Sequence, residues 1–240
     1  MNQDMTQEHV TSTQLEDISN RGFTTWDAFI DTPTVETLRT YYDRILRKEI
    51  VIPGDRMLGS KIRQVMAPHS AIDYFRDNPA VERAKAVARK VFNQDDVWLF
   101  FDMLISKEPG NLNETPWHQD YSYSQMPFAP EGTPIDNHSL NFWIGLDDIK
   151  EENGCMRFIP GVHKQPLLPH YIASGKPDDS GRLTATDAVD HDQSIPACFP
   201  AGGASVHFEG TPHYAGGNHT EDLQRRAYII VISSRPPEES

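Results

Sequence analysis

The chain has 240 residues, with 22 Lys and Arg against 35 Asp and Glu, and its formal net charge is −13 at pH 7. A surface of this charge repels phosphates, which argues against nucleic acid or an anionic membrane as a partner. The 11 Phe, 8 Tyr and 4 Trp are sufficient for an aromatic core, and the length suits one globular domain.

The two cysteines, Cys155 and Cys198, are too few for a disulfide framework and do not form a Cys-x-x-Cys pair. No apolar stretch has the length of a membrane span, and the N-terminal residues do not combine a basic start with an apolar run. These features predict a cytoplasmic protein with reduced thiols.

The first part of the chain has helical periodicity. Pro33 begins a run with apolar residues three and four positions apart, which predicts an amphipathic helix over residues 33–48. Asn78 is a candidate N-cap and predicts a second helix, which ends near Val91. We therefore expect residues 1–95 to form a mainly helical N-terminal layer.

From Asp96 onward, short runs rich in β-branched and aromatic residues are separated by loops that contain Pro and Gly. The predicted strands are residues 97–106, 139–149, 155–160, 204–208 and 226–234. No helical pattern alternates with them, which favours an antiparallel barrel or sandwich over residues 96–235. The polar segment 165–200 is too long for a hairpin loop and predicts a lid or an excursion over the barrel.

His118 and Asp120 are separated by one residue, a spacing at which an extended backbone points both side chains to one face. Imidazole nitrogen and carboxylate oxygen would then bind one metal ion. The motif alone is weakly specific, because the segments 207–209 and 219–221 have the same spacing with glutamate as the carboxylate.

The blocks that accompany this motif are more specific. In chain order they are WHQD around His118, NFWIGLDD, NGCMRFIPGVHK, HYAGGN beginning at His213, and RRAYIIV. Together, from about Phe101 to Ile232, they resemble the phytanoyl-CoA dioxygenase (PhyH-like) family of Fe(II)- and 2-oxoglutarate-dependent oxygenases. The resemblance implies a mainly β fold with flanking helices, a double-stranded β-helix (jelly-roll, cupin-like) barrel, and a single dioxygenase domain over residues 1–240.

The resemblance assigns His118, Asp120 and His213 as the two-His-one-carboxylate triad that binds Fe(II). Three ligands on one face of an octahedron leave positions for a bidentate 2-oxo acid and for O₂. We expect His213 to come from a facing strand late in the barrel. Because related halogenases have a small residue in place of the carboxylate, Asp120 predicts an oxidation other than halogenation.

The distal carboxylate of 2-oxoglutarate needs a cation inside the barrel, and the planar guanidinium of arginine bonds both of its oxygens. The resemblance assigns this role to Arg225, whereas its neighbour Arg226 points to the other face of the strand. Lys107 and Trp143 match family positions that line the cosubstrate pocket. The alternatives are a solvated surface lysine and an ordinary core tryptophan.

Three further positions bear on the loop that carries the distal ligand. Asn218 matches a family asparagine and is expected to tie this loop in place, whereas Ala215 lacks the hydroxyl group that the family often has there. His163 matches a family histidine but is not expected to be a ligand. We expect substrate-pocket walls among Tyr121, Tyr123, Phe101, Met103 and Phe208.

These features predict an enzyme that oxidises, most simply by hydroxylation, a C–H bond of a small molecule and releases succinate and CO₂. Desaturation, epoxidation, cyclisation and epimerisation use the same ligands. The acidic composition disfavours a multiply phosphorylated acyl-CoA, so the expected substrate is a natural-product intermediate or an amino-acid derivative. Two other interpretations stay open: a non-oxygenase cupin-like isomerase or hydrolase, and a barrel that binds without turnover.

Overall fold

The computed structural model describes residues 10–58, 62–123, 130–175 and 183–237. The helices in these ranges are α1 (Ser12–Arg21), α2 (Thr32–Leu46) and α3 (Pro79–Phe92). The strands are β1 (Phe23–Trp26), β2 (Asp55–Leu58), β3 (Ile62–Met66), β4 (Trp98–Lys107), β5 (Thr115–His118), β6 (Ser139–Gly145), β7 (Met156–Phe158), β8 (Tyr171–Ile172), β9 (Leu183–Thr184), β10 (Ile195–Ala197), β11 (Ala204–Phe208), β12 (His213–Ala215) and β13 (Arg225–Ser233).

The helices α2 and α3 begin at the polar caps that the sequence places before them. Asp31 accepts a hydrogen bond from the Thr34 backbone N–H at 3.0 Å, and Asn78 accepts one from the Ala80 N–H at 2.9 Å. Proline follows each cap in the first turn, where its missing N–H costs nothing. Both predicted helices are confirmed. None of the helices within the described ranges is long and apolar enough to cross a membrane.

Two antiparallel sheets form the body of the molecule. The larger has seven strands in the order β1-β11-β6-β13-β4-β3-β2, and the smaller has four in the order β10-β7-β12-β5. The inner faces of the two sheets pack on each other, with Trp143 and Ile105 from the larger sheet and Met156 and Phe158 from the smaller in one apolar cluster. The mainly β, double-stranded β-helix class expected from the sequence is confirmed.

The outer face of the seven-stranded sheet is covered by the helices. Leu38 of α2 and Val81 of α3 share one apolar cluster with Phe142 and Tyr228 of the sheet. Because side chains alternate along a strand, the neighbours of Tyr228 on β13 face the opposite side, and Ala227 belongs to the inner cluster. The sheet therefore separates an apolar helical layer from the interior of the barrel.

The N-terminal part of the chain, where we expected a mainly helical layer over residues 1–95, contains the three α-helices and also three short strands. Of these strands, β1 pairs with β11, and β3 pairs with β4 and with β2. These strands have four or five residues each, too few for their alternation to stand out in the sequence. They form because they cover backbone groups that would otherwise lie unpaired at the sheet edges.

Two of the predicted strands are longer than the observed ones. The strand expected over 139–149 ends at Gly145, where residues 146 and 147 form a bend. There the Leu146 N–H donates to the Arg226 carbonyl at 2.9 Å. The strand expected over 155–160 is limited to β7.

The segment 165–200 consists, where it is described, of β8, β9, β10 and two short 3₁₀ helices. Residues 176–182 of this segment lie outside the described ranges. The segment packs against β5 from outside: the Ala185 N–H donates to the Trp117 carbonyl at 2.6 Å, and the Leu183 N–H donates to the Tyr123 hydroxyl at 2.8 Å. It thereby supports the strand that carries His118.

Candidate active site

Two neighbouring strands and one turn bring His118, Asp120 and His213 together. His118 and His213 are direct register partners in β5 and β12. One ligand atom from each of the three residues lies within 4.8 Å of the others. His213 thus comes from the adjacent strand and not from a facing one. Asp120 is also not on extended backbone, because β5 ends at His118 and Asp120 begins a 3₁₀ helix.

Gln119, between the two motif residues, fixes this turn. It is fully buried, and its Nε2 donates to the Gly210 carbonyl at 2.8 Å while its Oε1 accepts from the Leu168 N–H at 3.0 Å. These bonds anchor the turn to two other segments. The residue between the candidate ligands therefore has a structural reason to be polar.

The hydrogen bonds of the two histidine rings determine which nitrogen faces the carboxylate. Nδ1 of His118 lies 2.7 Å from the Pro116 carbonyl, and Nδ1 of His213 lies 2.9 Å from the Thr211 carbonyl. A carbonyl only accepts, so each ring carries a proton on Nδ1, and in a neutral imidazole the lone pair then lies on Nε2. The two Nε2 atoms lie 3.4 and 3.6 Å from Asp120 Oδ1. Three electron-pair donors converge at this point.

The protonation states suit a divalent metal ion. Burial raises the pKa of Asp120, but His213, His118 and His207 together outweigh burial and hold this pKa well below its usual range. Burial and then the neighbouring His118 lower the pKa of His213 well below its usual value. At neutral pH the carboxylate is ionised and His213 is neutral, as metal binding requires.

A cavity of about 470 Å³ lies between the two sheets beside the three candidate ligands. Its walls include Phe101, Met103 and Tyr123, which we expected to line the pocket. The other two expected wall residues pack elsewhere. Phe208 faces the helical layer, with its ring 6.2 Å from the Phe92 ring, because alternation on β11 gives the inward direction to its neighbour. Tyr121 packs in a separate apolar cluster with Leu167 and Ile135.

Arg225 lines the cavity with a guanidinium that is only 1% exposed. Its Nε donates to the Gly154 carbonyl at 3.1 Å, and its guanidinium lies 5.0 Å from the Trp143 ring centroid. Its Nη1 has no hydrogen-bond partner among the described residues, and it forms no ion pair with a carboxylate there. Burial lowers the pKa of Arg225 to about 10, so it is charged at neutral pH. A buried, unpaired cation of this kind is a binding position for an anion.

Arg226 lies on the opposite face of β13 and is fully paired. Its Nε and Nη2 donate to the two carboxylate oxygens of Asp147 at 3.0 and 2.8 Å, and its Nη1 lies 3.4 Å from Asp43. Of the two consecutive arginines, only Arg225 lines the cavity.

Lys107 and Asn218 hold the loop that follows His213. Lys107 is buried and is the register partner of Arg225, and its Nζ donates to the carbonyls of Ala215, at 3.1 Å, and Gly216. The Asn218 side-chain amide donates to the Lys107 carbonyl at 3.1 Å. Lys107 is therefore not a solvated surface lysine, and its Nζ bonds the loop backbone beside the cavity.

His207 is the residue at this site that the sequence interpretation placed only among the alternatives. Its Nε2 lies 3.4 Å from Asp120 Oδ2. Glu209, the carboxylate of that alternative pair, instead accepts hydrogen bonds from the backbone N–H groups of His138 and Ser139. The alternation in ASVHF, with polar residues at Ser205 and His207, was the available signal that one face of β11 meets a polar cavity.

The remaining histidines of the motifs lie apart from this group. His163 is buried, stacks on Phe208 and has its Nε2 3.2 Å from the Ser19 carbonyl. His219 is exposed on the loop after β12. Neither belongs to the set of converging ligand atoms among the described residues.

The family model for phytanoyl-CoA dioxygenase (PhyH) matches residues 19–227, and the chain belongs to this family. Peroxisomal phytanoyl-CoA dioxygenase of Rattus norvegicus is 29% identical over 163 residues, which are 62% of this chain and 46% of that protein. The chain thus spans about half the length of such curated relatives.

Two solved structures show the shared fold. EvdO2 from Micromonospora carbonacea var. aurantiaca, complexed with 2-oxoglutarate, is 28% identical with a TM-score of 0.79, and the match covers 96% of this chain and 94% of that one. The epimerase SnoN from nogalamycin biosynthesis, in complex with Fe³⁺, alpha ketoglutarate and nogalamycin RO, is 20% identical with a TM-score of 0.69 and covers 92% and 82%.

Proposed function

We propose that the chain is an Fe(II)- and 2-oxoglutarate-dependent dioxygenase that acts as a single domain over residues 1–240. The observation that carries this proposal is one cavity that contains both the His118, Asp120 and His213 set and the unpaired guanidinium of Arg225. The three residues suit a metal ion, and the guanidinium of Arg225 suits a carboxylate at a distance from that ion. Membership of the PhyH family and the resemblance to a 2-oxoglutarate complex support this assignment.

The donor atoms fit Fe(II). Two imidazole nitrogens and one carboxylate oxygen, with no further protein ligand needed, match the set used for non-heme Fe(II) in oxygenases. Bound Fe(II) would supply the oxidative decarboxylation of 2-oxoglutarate by O₂ and the oxidation of a C–H bond. The part of His118, Asp120 and His213 is to hold the ion at one end of the cavity and leave its other positions accessible.

In this proposal Arg225 holds the distal carboxylate of 2-oxoglutarate, and Trp143 forms the wall under the guanidinium. A charge-assisted hydrogen bond is strong in such a site, because burial removes competing water. Lys107 supports the pocket by holding the carbonyls of Ala215 and Gly216. Since Ala215 has no hydroxyl group to offer, Arg225 carries most of the anchoring.

The rest of the cavity would receive the substrate. Its volume of about 470 Å³ suits a small molecule. Phe101, Met103 and Val231 offer an apolar wall, whereas Asn141 offers a polar group. We propose a natural-product intermediate or an amino-acid derivative as the substrate. Since Asp120 occupies the carboxylate position, we propose hydroxylation rather than halogenation as the outcome.

An anaerobic absorbance titration with Fe(II) and then 2-oxoglutarate tests the proposal without knowledge of the substrate. We expect the weak visible charge-transfer band of a chelated 2-oxo acid, and we expect no band in His213→Ala. A protein that binds the metal but develops no band would be a cupin-like metalloprotein of another class. A protein that binds neither Fe(II) nor 2-oxoglutarate would be a barrel that binds some other ligand without turnover.

A further inference from the structure

We propose that His207 is a positioning residue of this site: its Nε2–H donates to Asp120 Oδ2 and thereby fixes Oδ1 as the oxygen presented to the metal. The inference rests on the proposed function, because it concerns the same three ligands. It assigns a role to a histidine that is neither a ligand nor a part of the cosubstrate anchor.

The surroundings of His207 hold its ring in one place. The residue is 2% exposed and lies on β11 inside the barrel. Its ring centroid lies 4.5 Å from that of His213 and 5.0 Å from that of Phe158. A ring enclosed in this way cannot turn away from Asp120 without a change in the packing of the cluster.

The hydrogen bonds assign the tautomer of this ring. Nδ1 is buried and has no hydrogen-bond partner within the described ranges, whereas Nε2 lies 3.4 Å from Asp120 Oδ2. A proton on Nδ1 would leave a buried donor unsatisfied and would set the Nε2 lone pair against a carboxylate oxygen. The proton therefore lies on Nε2, and the ring is a donor to the carboxylate.

This is the reverse of the arrangement at the other two rings. His118 and His213 carry their protons on Nδ1 and direct Nε2 lone pairs toward Asp120 Oδ1. The two oxygens of Asp120 thus have different neighbours. Oδ1 lies near the two candidate ligand nitrogens, and Oδ2 accepts a hydrogen bond from His207. His207 cannot serve as a fourth ligand while its Nε2 carries the proton.

Loss of this donor would leave Oδ2 without its partner and the carboxylate free to rotate about its terminal torsion. Groups that orient a metal ligand in this way typically change the metal affinity by about 10- to 100-fold when they are removed. The expected effect of losing His207 is therefore on metal affinity and on the geometry at the metal, and not on the fold.

Three variants of the full chain test the proposal by anaerobic Co(II) titration, with the visible Co(II) spectrum as a second readout. His207→Phe keeps a ring of similar size but has no donor, and it should raise the Co(II) Kd by about 10- to 100-fold and alter the Co(II) spectrum. His207→Gln places an amide N–H near the position of Nε2 and should restore most of the affinity. His163→Phe, the matched control, replaces another buried histidine outside the site and should bind Co(II) like the wild type.

Two results would overturn the proposal: wild-type Co(II) affinity in His207→Phe, or a His207→Gln variant as weak as His207→Phe. If His207→Phe does not fold, ¹⁵N-histidine NMR of the Zn(II)-loaded wild type decides the matter, with the His207 signals assigned by their loss in His207→Gln. A proton on Nε2 supports the proposal, and a proton on Nδ1 excludes it.

His118→Ala separates this inference from the proposed function. If His118→Ala loses Co(II) while His207→Phe retains it, the metal site stands and only the role of His207 is wrong. If His118→Ala binds Co(II) like the wild type, the metal site itself is wrong, and the role of His207 falls with it.

Discussion

The two faces of the seven-stranded sheet are built from different groups. The outer face packs on the helices through apolar side chains such as Phe142, Tyr228 and Ile230. The inner face borders the cavity and carries the buried polar residues His207 and Arg225. The outer face therefore provides stability, and the inner face provides binding groups whose burial costs stability until a ligand pairs with them.

Arg225 and Arg226 show this difference in two consecutive residues. Arg226 has two carboxylate partners, whereas Arg225 is buried with no carboxylate partner in the part of the chain that the structure describes. A buried cation without a counter-ion is unfavourable by several kcal/mol, and an anion that binds there removes this cost. Substitutions on the inner face should thus reduce binding more than stability, and those on the outer face should do the reverse.

The largest effect is expected at the candidate metal ligands. His118→Ala and Asp120→Ala should each abolish 2-oxoglutarate turnover, because a set of two ligands no longer holds the ion. Thermal unfolding should show an intact fold. Succinate release is the measurement, and His219→Ala, at an exposed histidine outside the group, should retain wild-type turnover. Full activity in either ligand variant would remove the assignment of the three ligands.

The next effect separates the two arginines. Arg225→Gln should weaken 2-oxoglutarate binding by about 2–5 kcal/mol, because a charge-assisted bond in a dry pocket is lost. Arg226→Gln should leave this binding unchanged and lower the free energy of unfolding by about 1–3 kcal/mol, since Asp147 loses its two hydrogen bonds from the Arg226 guanidinium. Titration of 2-oxoglutarate and denaturant unfolding of both variants measure the two effects. The reverse ranking would mean that Arg226 is the anchor.

The length of each element and the clarity of its caps explain which parts of the fold were predictable from the sequence. The helices α2 and α3 and the strands β4, β6 and β13 have long periodic patterns or clear caps. In contrast, β1, β2 and β3 have four or five residues and are defined by pairing with distant strands. Local propensity is weak at that length, so tertiary contacts decide the structure.

The candidate site was predictable to the extent that its motifs are local or resemble a family. The resemblance named His213 as the partner of His118, although 95 positions separate the two residues. The alternation in ASVHF indicated that His207 lies on the polar face of a strand, but it did not indicate that this face lies beside Asp120, because that contact joins residues 87 positions apart. Nor did the sequence decide whether Lys107 is buried, since a lysine at the end of a strand is usually solvated.

A third comparison concerns two consecutive isoleucines of β13. Ile230 is fully buried against the helices, so Ile230→Ala should lower the free energy of unfolding by about 2–5 kcal/mol and leave 2-oxoglutarate binding unchanged. Ile229 already borders the cavity, so Ile229→Ala should cost less stability and enlarge the substrate space. Denaturant unfolding and 2-oxoglutarate titration of the pair provide the measurement. Equal losses of stability would mean that the inner face contributes to the core as much as the outer face does.

The smallest effect concerns pH and the contact of His138 with Glu209, a residue that lines the cavity. Nδ1 of His138 lies 2.9 Å from Glu209 Oε1, and this contact outweighs partial burial and raises the pKa of His138. A raised histidine pKa stabilises the fold fully below the unfolded value of about 6.5, and the contribution is lost as the pH rises through the folded pKa.

The comparison of wild type with His138→Gln measures this contribution. The advantage of the wild type in free energy of unfolding should be greater at about pH 5.5 than at about pH 8.5, by less than about 1 kcal/mol, because the pair is partly solvated. An advantage that grows with pH would mean that the neutral imidazole is the favoured partner of Glu209. The backbone N–H groups of His138 and Ser139 donate to Glu209 in either case. The Glu209 carboxylate should therefore keep its position while the charge of His138 changes.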